Sequence, residues 1–405
     1  PTVARVNGGA FRGGGGLFHS LGNPGREGTG RVCLTGLGRR PQRRRGQRRS
    51  GPRPAAGAEI DVRQPALEEA RHARADRMRV EQHGDAMLGP ERARLDRQTL
   101  VIGPPVLLDP PGDGVHDAVL DTDTYNEIDD QYAVAYSLLS PDRIKLHAVY
   151  AAPYLNNRST SAGDGMEKSY QEILRILDFL KQPSKGFAFR GSPRFMAGPA
   201  APVESDAARD LIRKAEAQQG KPLYVLTIGA PTNVASAILM EPKIKQNIVV
   251  VWLGGAPHEW PSAREFNLQQ DIHASRVLFD SGVALVQIPT KNVSEHLRTT
   301  IPELERHMKG RSKLGDYLYA QFVEYYKAGE AHRPAMYPWS KVIWDISAVA
   351  WMINPQWVPS KLTPSPVLND DLTYTLRPGR PLIRVAANCL RDPIFFDLFE
   401  KLART

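Results

Sequence analysis

Two textures of apolar and polar positions meet near residue 100 of the chain. Beyond residue 115, short apolar runs alternate with segments whose apolar positions recur at helical spacing. Ala118-Val119-Leu120 predicts a strand running into an acidic turn, and Asp130 to Leu139 a helix with Tyr132, Ala133, Ala135, Leu138 and Leu139 as apolar positions. Ile144 to Tyr150 reads as the next strand, then a polar loop from Leu155 to Gly165 and a helix from Met166 to Leu180. Leu223 to Ile228 is a third strand, and a helix opens over Ala235 to Leu239. Ile248 to Leu253 is a near-continuous apolar strand of the kind covered on both faces, and it ends at Gly254-Gly255. A helix over Ala274 to Asp280, a strand over Ala284 to Ile288 and a helix over Ile346 to Ile353 follow. Such alternation predicts an α/β fold: a mostly parallel open sheet with helices on both faces, which gathers ligands at the carboxyl ends of its strands.

The first 114 residues follow another pattern, with Gly13 to Gly16, the run Arg43-Arg44-Arg45 and scattered Pro among few clustered aliphatics. Such a stretch buries too little apolar surface to offset the entropy of ordering it. It is expected to be a disordered leader, or translation from upstream of the true start, with a polar helix over residues 66–97 that has no core face. The Arg run also suits RNA or a membrane surface, though a solvated leader is the simpler account. This segment governs the net charge of +9: residues 1–100 hold 20 Arg, no Lys and 10 acids, so the remainder is close to neutral. The pI of 9.5 therefore does not argue for a nucleic-acid-binding face. Cys33 and Cys389 are too far apart for a disulfide framework or a metal spacing. No run of eighteen apolar residues appears, and the N-terminus lacks a signal-peptide pattern. A cytoplasmic location without membrane partners is the expectation from these missing signals.

The strongest chemical feature is Asp121-Thr-Asp123-Thr-Tyr-Asn-Glu127-Ile-Asp129-Asp130, which sets five carboxylates between a strand and a helix. Packed together they repel one another and their pKa values rise, unless a hard divalent cation is shared among them. One or two could cap the following helix, but five exceed that need. An EF-hand loop would have Gly where Asn126 stands and would follow a helix. A magnesium-dependent phosphatase of the haloacid-dehalogenase type also begins Asp-x-Asp after a strand, and it is the alternative enzyme class.

The turn resembles the signature of the nucleoside hydrolase family, Asp-x-Asp followed by Asp-Asp, with two extra residues here before the Asp pair. Three further blocks occur in the family's order. Gly229-Ala-Pro-Thr232-Asn233 is similar to its Gly-Pro-Leu-Thr-Asn, and Gly254-Gly255 with Glu265-Phe-Asn267 and Asp271 to its Gly-Gly…Glu-Phe-Asn…Asp. Trp344-Asp345 stands where the family has His-Asp. The resemblance implies a Rossmann-like core over residues 115–405 and calcium-dependent hydrolysis of a ribonucleoside or related N-riboside to ribose and free base. By similarity, Asp123, Asp130, the carbonyl of Thr232 and Asp345 would hold calcium, and Asp123 would take a proton from the attacking water. Asp129, which the resemblance places with Asp123 in the catalytic machinery, would bind sugar hydroxyls with Glu265 and Asn267, as would Asn156 or Asn157. Glu265 and Asn267 are expected on one face of an extended segment. Family members are commonly dimers or tetramers.

Several of these residues have plain structural readings as well. Asp345 could cap the helix that follows, Thr232-Asn233 could be a helix start, and Asp271 is expected to be a cap. The Trp residues at 339, 344, 351 and 357 are core by default, and His147 on its strand is a packing residue. Trp344 cannot replace a histidine as a general acid, because indole only donates and does not titrate near neutrality. It is expected to stack on a planar leaving group or to pack. His258, Tyr154 or solvent would then protonate the base, or a homologue of altered activity would turn over common nucleosides poorly. Base preference is expected in loops around His258 to Ser262 and Glu305 to Trp339.

Overall fold

The computed structural model describes residues 105–329 and 338–405. All of these lie in the second of the two units into which the chain divides, Gly89–Thr405 after Pro1–Leu88. The leader up to residue 104 and the helix expected over residues 66–97 lie outside the described residues.

Twelve strands are described: β1 His116–Thr122, β2 Ile144–Ala151, β3 Ala188–Arg190, β4 Leu223–Thr227, β5 Ile248–Leu253, β6 Ala284–Ile288, β7 Arg298–Thr299, β8 Lys341–Val342, β9 Ser360–Pro364, β10 Val367–Leu368, β11 Tyr374–Thr375 and β12 Leu382–Ala386. Eight form one sheet in the order β3-β2-β1-β4-β5-β6-β12-β9. Each neighbouring pair is parallel except β12 with β9, which closes the edge antiparallel. The order reverses between β1 and β4, where a doubly wound sheet leaves a crevice for its ligand. The acidic turn leaves β1 at that point.

Side chains of the central strands alternate between two apolar layers. On one face Ala118, Leu120, Leu226, Val251 and Val286 pack against the helices Asp130–Leu138 (α1) and Ile346–Ile353. On the other, Val119, Val225, Val250 and Leu285 pack against the helices Asp206–Glu216, Thr232–Met240 and Ile272–Asp280. A fully buried Val or Leu contributes roughly 1.5–3 kcal/mol through removal from water. This double covering is why the predicted strands read as continuous apolar runs.

The expected elements are present, with shifted boundaries. Helix Ala162–Phe179 begins four residues before Met166, because Ser161 accepts a bond from the Asp164 amide and starts it. Helix Thr232–Met240 likewise starts before Ala235. The region from Glu305 to Trp339, expected to be loop, includes the sixteen-residue helix Lys313–Ala328, capped by Ser312. The ordered fold also starts ahead of residue 115. Leu108 is buried, and its carbonyl accepts a 2.6 Å bond from Arg384 of β12. Among the described residues no helix is long and apolar enough to cross a membrane.

Candidate active site

Every strand around the crevice ends in a polar segment, and these segments line a cavity of about 280 Å³. Its wall includes Asp123, Asn126, Glu127, Asp129 and Asp130 from the acidic turn and Asn156 from the segment after β2. Glu265 and Asn267 come from the segment after β5, and Trp344 and Asp345 from the segment before helix Ile346–Ile353. Carboxylate oxygens of Asp129, Asp130 and Asp345 lie within 4.8 Å of one another, so residues 215 positions apart meet where one ion could touch all three. Asp345 occupies the N-cap position of its helix, yet its side chain makes no capping bond. The capping account of this residue therefore fails, and its carboxylate is available to the cavity.

Burial sets the electrostatics. Asp123 is buried, neither of its oxygens has a hydrogen-bond partner in the protein, and burial with the charges of Asp130 and Asp129 pushes its pKa well up. Burial followed by Asp129 raises Asp130 to about 8, against a 2.5 Å bond from the Thr122 hydroxyl that favours its charged form. Asp345 is raised by burial and then by Asp130, Asp129 and Asp123. Four carboxylates without enough donors are poorly satisfied by protein alone, and a hard cation with oxygen ligands relieves that conflict. Gly229 supports the same arrangement: a Cβ there would stand 3.0 Å from Asp123 Cγ, so a side chain would crowd the carboxylate.

Other residues hold these acids in place. Asp121 points away to Asn233, whose amide donates to it at 2.7 Å, and burial raises it to about 7. The Asn233 carbonyl oxygen accepts from the Ser192 amide and hydroxyl at 2.7 and 2.8 Å. Asp271 accepts from the amides of Ala274 and Met196 and from the Thr232 hydroxyl, so the capping expectation for it holds. Thr232 is buried at the start of its helix and is not on the cavity wall.

Glu265 and Asn267 are brought together, though not on an extended segment. Glu265 caps the five-residue helix Phe266–Gln270, accepting from the amides of Asn267, Leu268 and Gly255. Asn267 lies inside that helix, and its amide nitrogen donates to the carbonyls of Ile228 and Leu253, which end two neighbouring strands. The period-two reading failed because a carboxylate two residues ahead of a buried amide can start a helical turn. Of the two asparagines after β2, Asn156 reaches the cavity and bonds Asn126 at 2.6 Å. Asn157 is exposed and lines an adjoining cavity of about 720 Å³ with Tyr125, Arg158, Tyr317, Tyr325 and Trp339. His258 bonds Gln287 at 2.8 Å and lines a separate cavity with Lys361, so it does not face the acids. His147 is satisfied by Asp117 at 2.5 Å. Trp344 is on the cavity wall, with the Lys291 ammonium 5.8 Å from its ring centre.

A family model described as inosine-uridine preferring nucleoside hydrolase matches residues 118–380. The chain belongs to that family. Nucleoside hydrolases are N-glycosyl hydrolases, and membership rules against the phosphatase alternative. A pyrimidine-specific ribonucleoside hydrolase of Salmonella paratyphi A is 25% identical over 244 residues, which cover 53% of this chain and 76% of the relative. One from Salmonella dublin is 26% identical over 255 residues, covering 56% and 77%. Among solved structures, a plant nucleoside hydrolase superposes with a TM-score of 0.55 at 19% identity, over 73% of this chain and all of its own. A purine-preferring ribonucleoside hydrolase of Gardnerella vaginalis gives 0.53 at 22%, over 71% and 98%. These superpositions carry the fold.

Sequence reasoning did not single out Lys341, which stands beside the acids though not on the cavity wall. Lys341 is buried beside the acidic turn, with its ammonium 2.5 Å from Glu127, 3.0 Å from the Val342 carbonyl and 3.7 Å from Asp129. Its place three residues ahead of Trp344 was the available signal, since a lysine so close to a buried acid demands a partner.

Proposed function

We propose that this chain hydrolyses the N-glycosidic bond of a ribonucleoside or a related N-riboside, releasing ribose and the free base, with calcium as its cofactor. The observation that carries this reading is that Asp123, Asp130 and Asp345 line one cavity, with Asp130 and Asp345 among three carboxylates within 4.8 Å of one another and Asp123 lacking any donor from the protein. Asp123, Asp130 and Asp345 would hold the ion, with the Thr232 carbonyl as the further oxygen that the family resemblance adds. A bound calcium would polarise the attacking water and anchor the sugar diol. Asp123 accepts the proton of that water. Asp129, Asn156, Glu265 and Asn267 hold ribose hydroxyls, and the surrounding carboxylates stabilise the positive charge that the sugar develops as the bond breaks. The burial of the acids lowers the local dielectric, which strengthens their interaction with the developing charge.

Trp344 favours a second reading, a homologue that binds ribosides but turns over common nucleosides slowly. No imidazole lines the acid cavity among the described residues, so protonation of the leaving base falls to another group or to solvent, or the leaving group needs no such help. Ribose release from inosine, uridine, adenosine and cytidine, with and without a chelator, decides between the two. Release that depends on metal supports hydrolysis, and tight metal binding without release supports the altered homologue. Phosphate release in place of ribose would refute both. The same reading includes a cytoplasmic homo-oligomer, dimer or tetramer, which cell fractionation and sedimentation test.

A further inference from the structure

Lys341 has no part in the chemistry above, yet among the described residues it is a buried cation beside the acid cluster. It comes from β8, and its ammonium spans Glu127 at 2.5 Å and Asp129 Oδ2 at 3.7 Å. The same Asp129 oxygen accepts the Trp344 amide at 3.2 Å. One oxygen of Asp129 therefore accepts a hydrogen bond from the Trp344 amide and faces the Lys341 ammonium as an ion pair, whereas Asp123 has no donor. Glu127 lies in the lengthened acidic turn and lines both the acid cavity and its larger neighbour. Tyr325 closes the far side, with its hydroxyl 3.5 Å from Glu127.

Three carboxylates, those of Asp129, Asp130 and Asp345, lie close enough to share an ion, and something must decide which of them do. We propose that Lys341 is a positioning residue that sorts these acids, holding Asp129 out of the metal shell and turned toward the sugar, with Glu127 anchoring the lysine. This inference rests on the proposed metal-dependent reading, which it refines. A fixed positive charge at the edge of the shell also opposes a divalent ion, so the ion is held less tightly than four free carboxylates would hold it.

Full-length chain stripped of divalent ions is titrated with calcium by calorimetry at about pH 8.5, where protons compete less for the acids than at neutral pH. Steady-state riboside kinetics are run in parallel. Lys341→Met is expected to tighten calcium binding by about fivefold or more, because a cation is removed and Asp129 is freed to join the shell. KM for the riboside should rise by about tenfold, as the sugar loses a positioned acceptor. Lys341→Arg should restore wild-type values in part. In an Asp129→Asn background, Lys341→Met should tighten the metal much less, because only the loss of the repelling cation remains. A merely structural lysine would give the opposite sign, with metal and sugar both bound less well. Calcium affinity unchanged or weakened in Lys341→Met, or equally tightened with and without Asp129, overturns the proposal. If Lys341→Met does not fold, Lys341→Arg must bind calcium and riboside within threefold of wild type, and a larger departure overturns it. If the wild-type chain binds calcium and releases ribose while Lys341→Met matches it, this inference alone fails. If the wild-type chain does neither, the parent reading fails with it.

Discussion

Removing the divalent ion should invert the usual acid lability of a protein. Asp130 titrates near 8 in the ion-free fold, against 3.8 for a free aspartate, and Asp121 titrates near 7. Asp123 and Asp345 are raised in the same direction. Between pH 4 and pH 8 the folded chain therefore keeps protons that the unfolded chain has released, and stability falls as pH rises through that window. Raising Asp130 from 3.8 to about 8 corresponds to about 6 kcal/mol at most. Relaxation of the turn and entry of water reduce this to about 3 kcal/mol, or roughly 5–10 °C in melting temperature. Calcium should cancel the loss, because the ion stabilises the ionised carboxylates and binds only the folded chain. The assay is thermal unfolding from about pH 5 to about pH 8.5, with excess chelator and with millimolar calcium. A chelated protein whose melting temperature is flat or rises over that range, with no gain from calcium at the alkaline end, would refute the reasoning.

Gly229→Ala should lower turnover about tenfold or more, because its methyl forces Asp123 to shift by a few tenths of an ångström; wild-type kcat in a correctly folded variant would count against Asp123 as the base. Asp345→Asn should weaken calcium binding at least tenfold, read by calorimetry, with the melting temperature of the ion-free protein unchanged or raised, since the cost of keeping a proton on a buried carboxyl is removed. Trp344→Ala should raise KM for ribosides with planar leaving groups, and unchanged turnover and affinity for every nucleoside would dispose of stacking. Leu120→Ala, fully buried in the central strand, should cost about 2–5 kcal/mol in denaturant unfolding.

What was legible in the sequence follows the range over which each signal acts. Ile248–Leu253 and Ala284–Ile288 were readable to the residue, because strands covered on both faces are almost wholly apolar, Gln287 being the one polar side chain in the pair. The acidic turn was readable because repulsion among neighbouring carboxylates is a local fact. The short edge elements were not: Ala188–Arg190 buries only its alanine, Ser360–Pro364 carries half-buried or exposed side chains, and both acquire strand geometry from their neighbours. Asn156 was separated from Asn157 only by which of two adjacent amides turns inward, a choice made by Asn126 thirty residues away. Lys341 stayed hidden for the same reason, since its partners lie 214 and 212 positions earlier.

The pairing of the acidic turn with Asp345 also bears on synthesis. A ribosome that has released the chain only as far as β6 has delivered six of the sheet's eight strands in their final order, but not Asp345. Such a nascent chain can bury most of its central sheet while its carboxylates still lack their last companion and the lysine that neighbours them. Ion capture is thus reserved for a chain translated almost to its end, and a truncated product would betray itself by failing to be rescued by calcium.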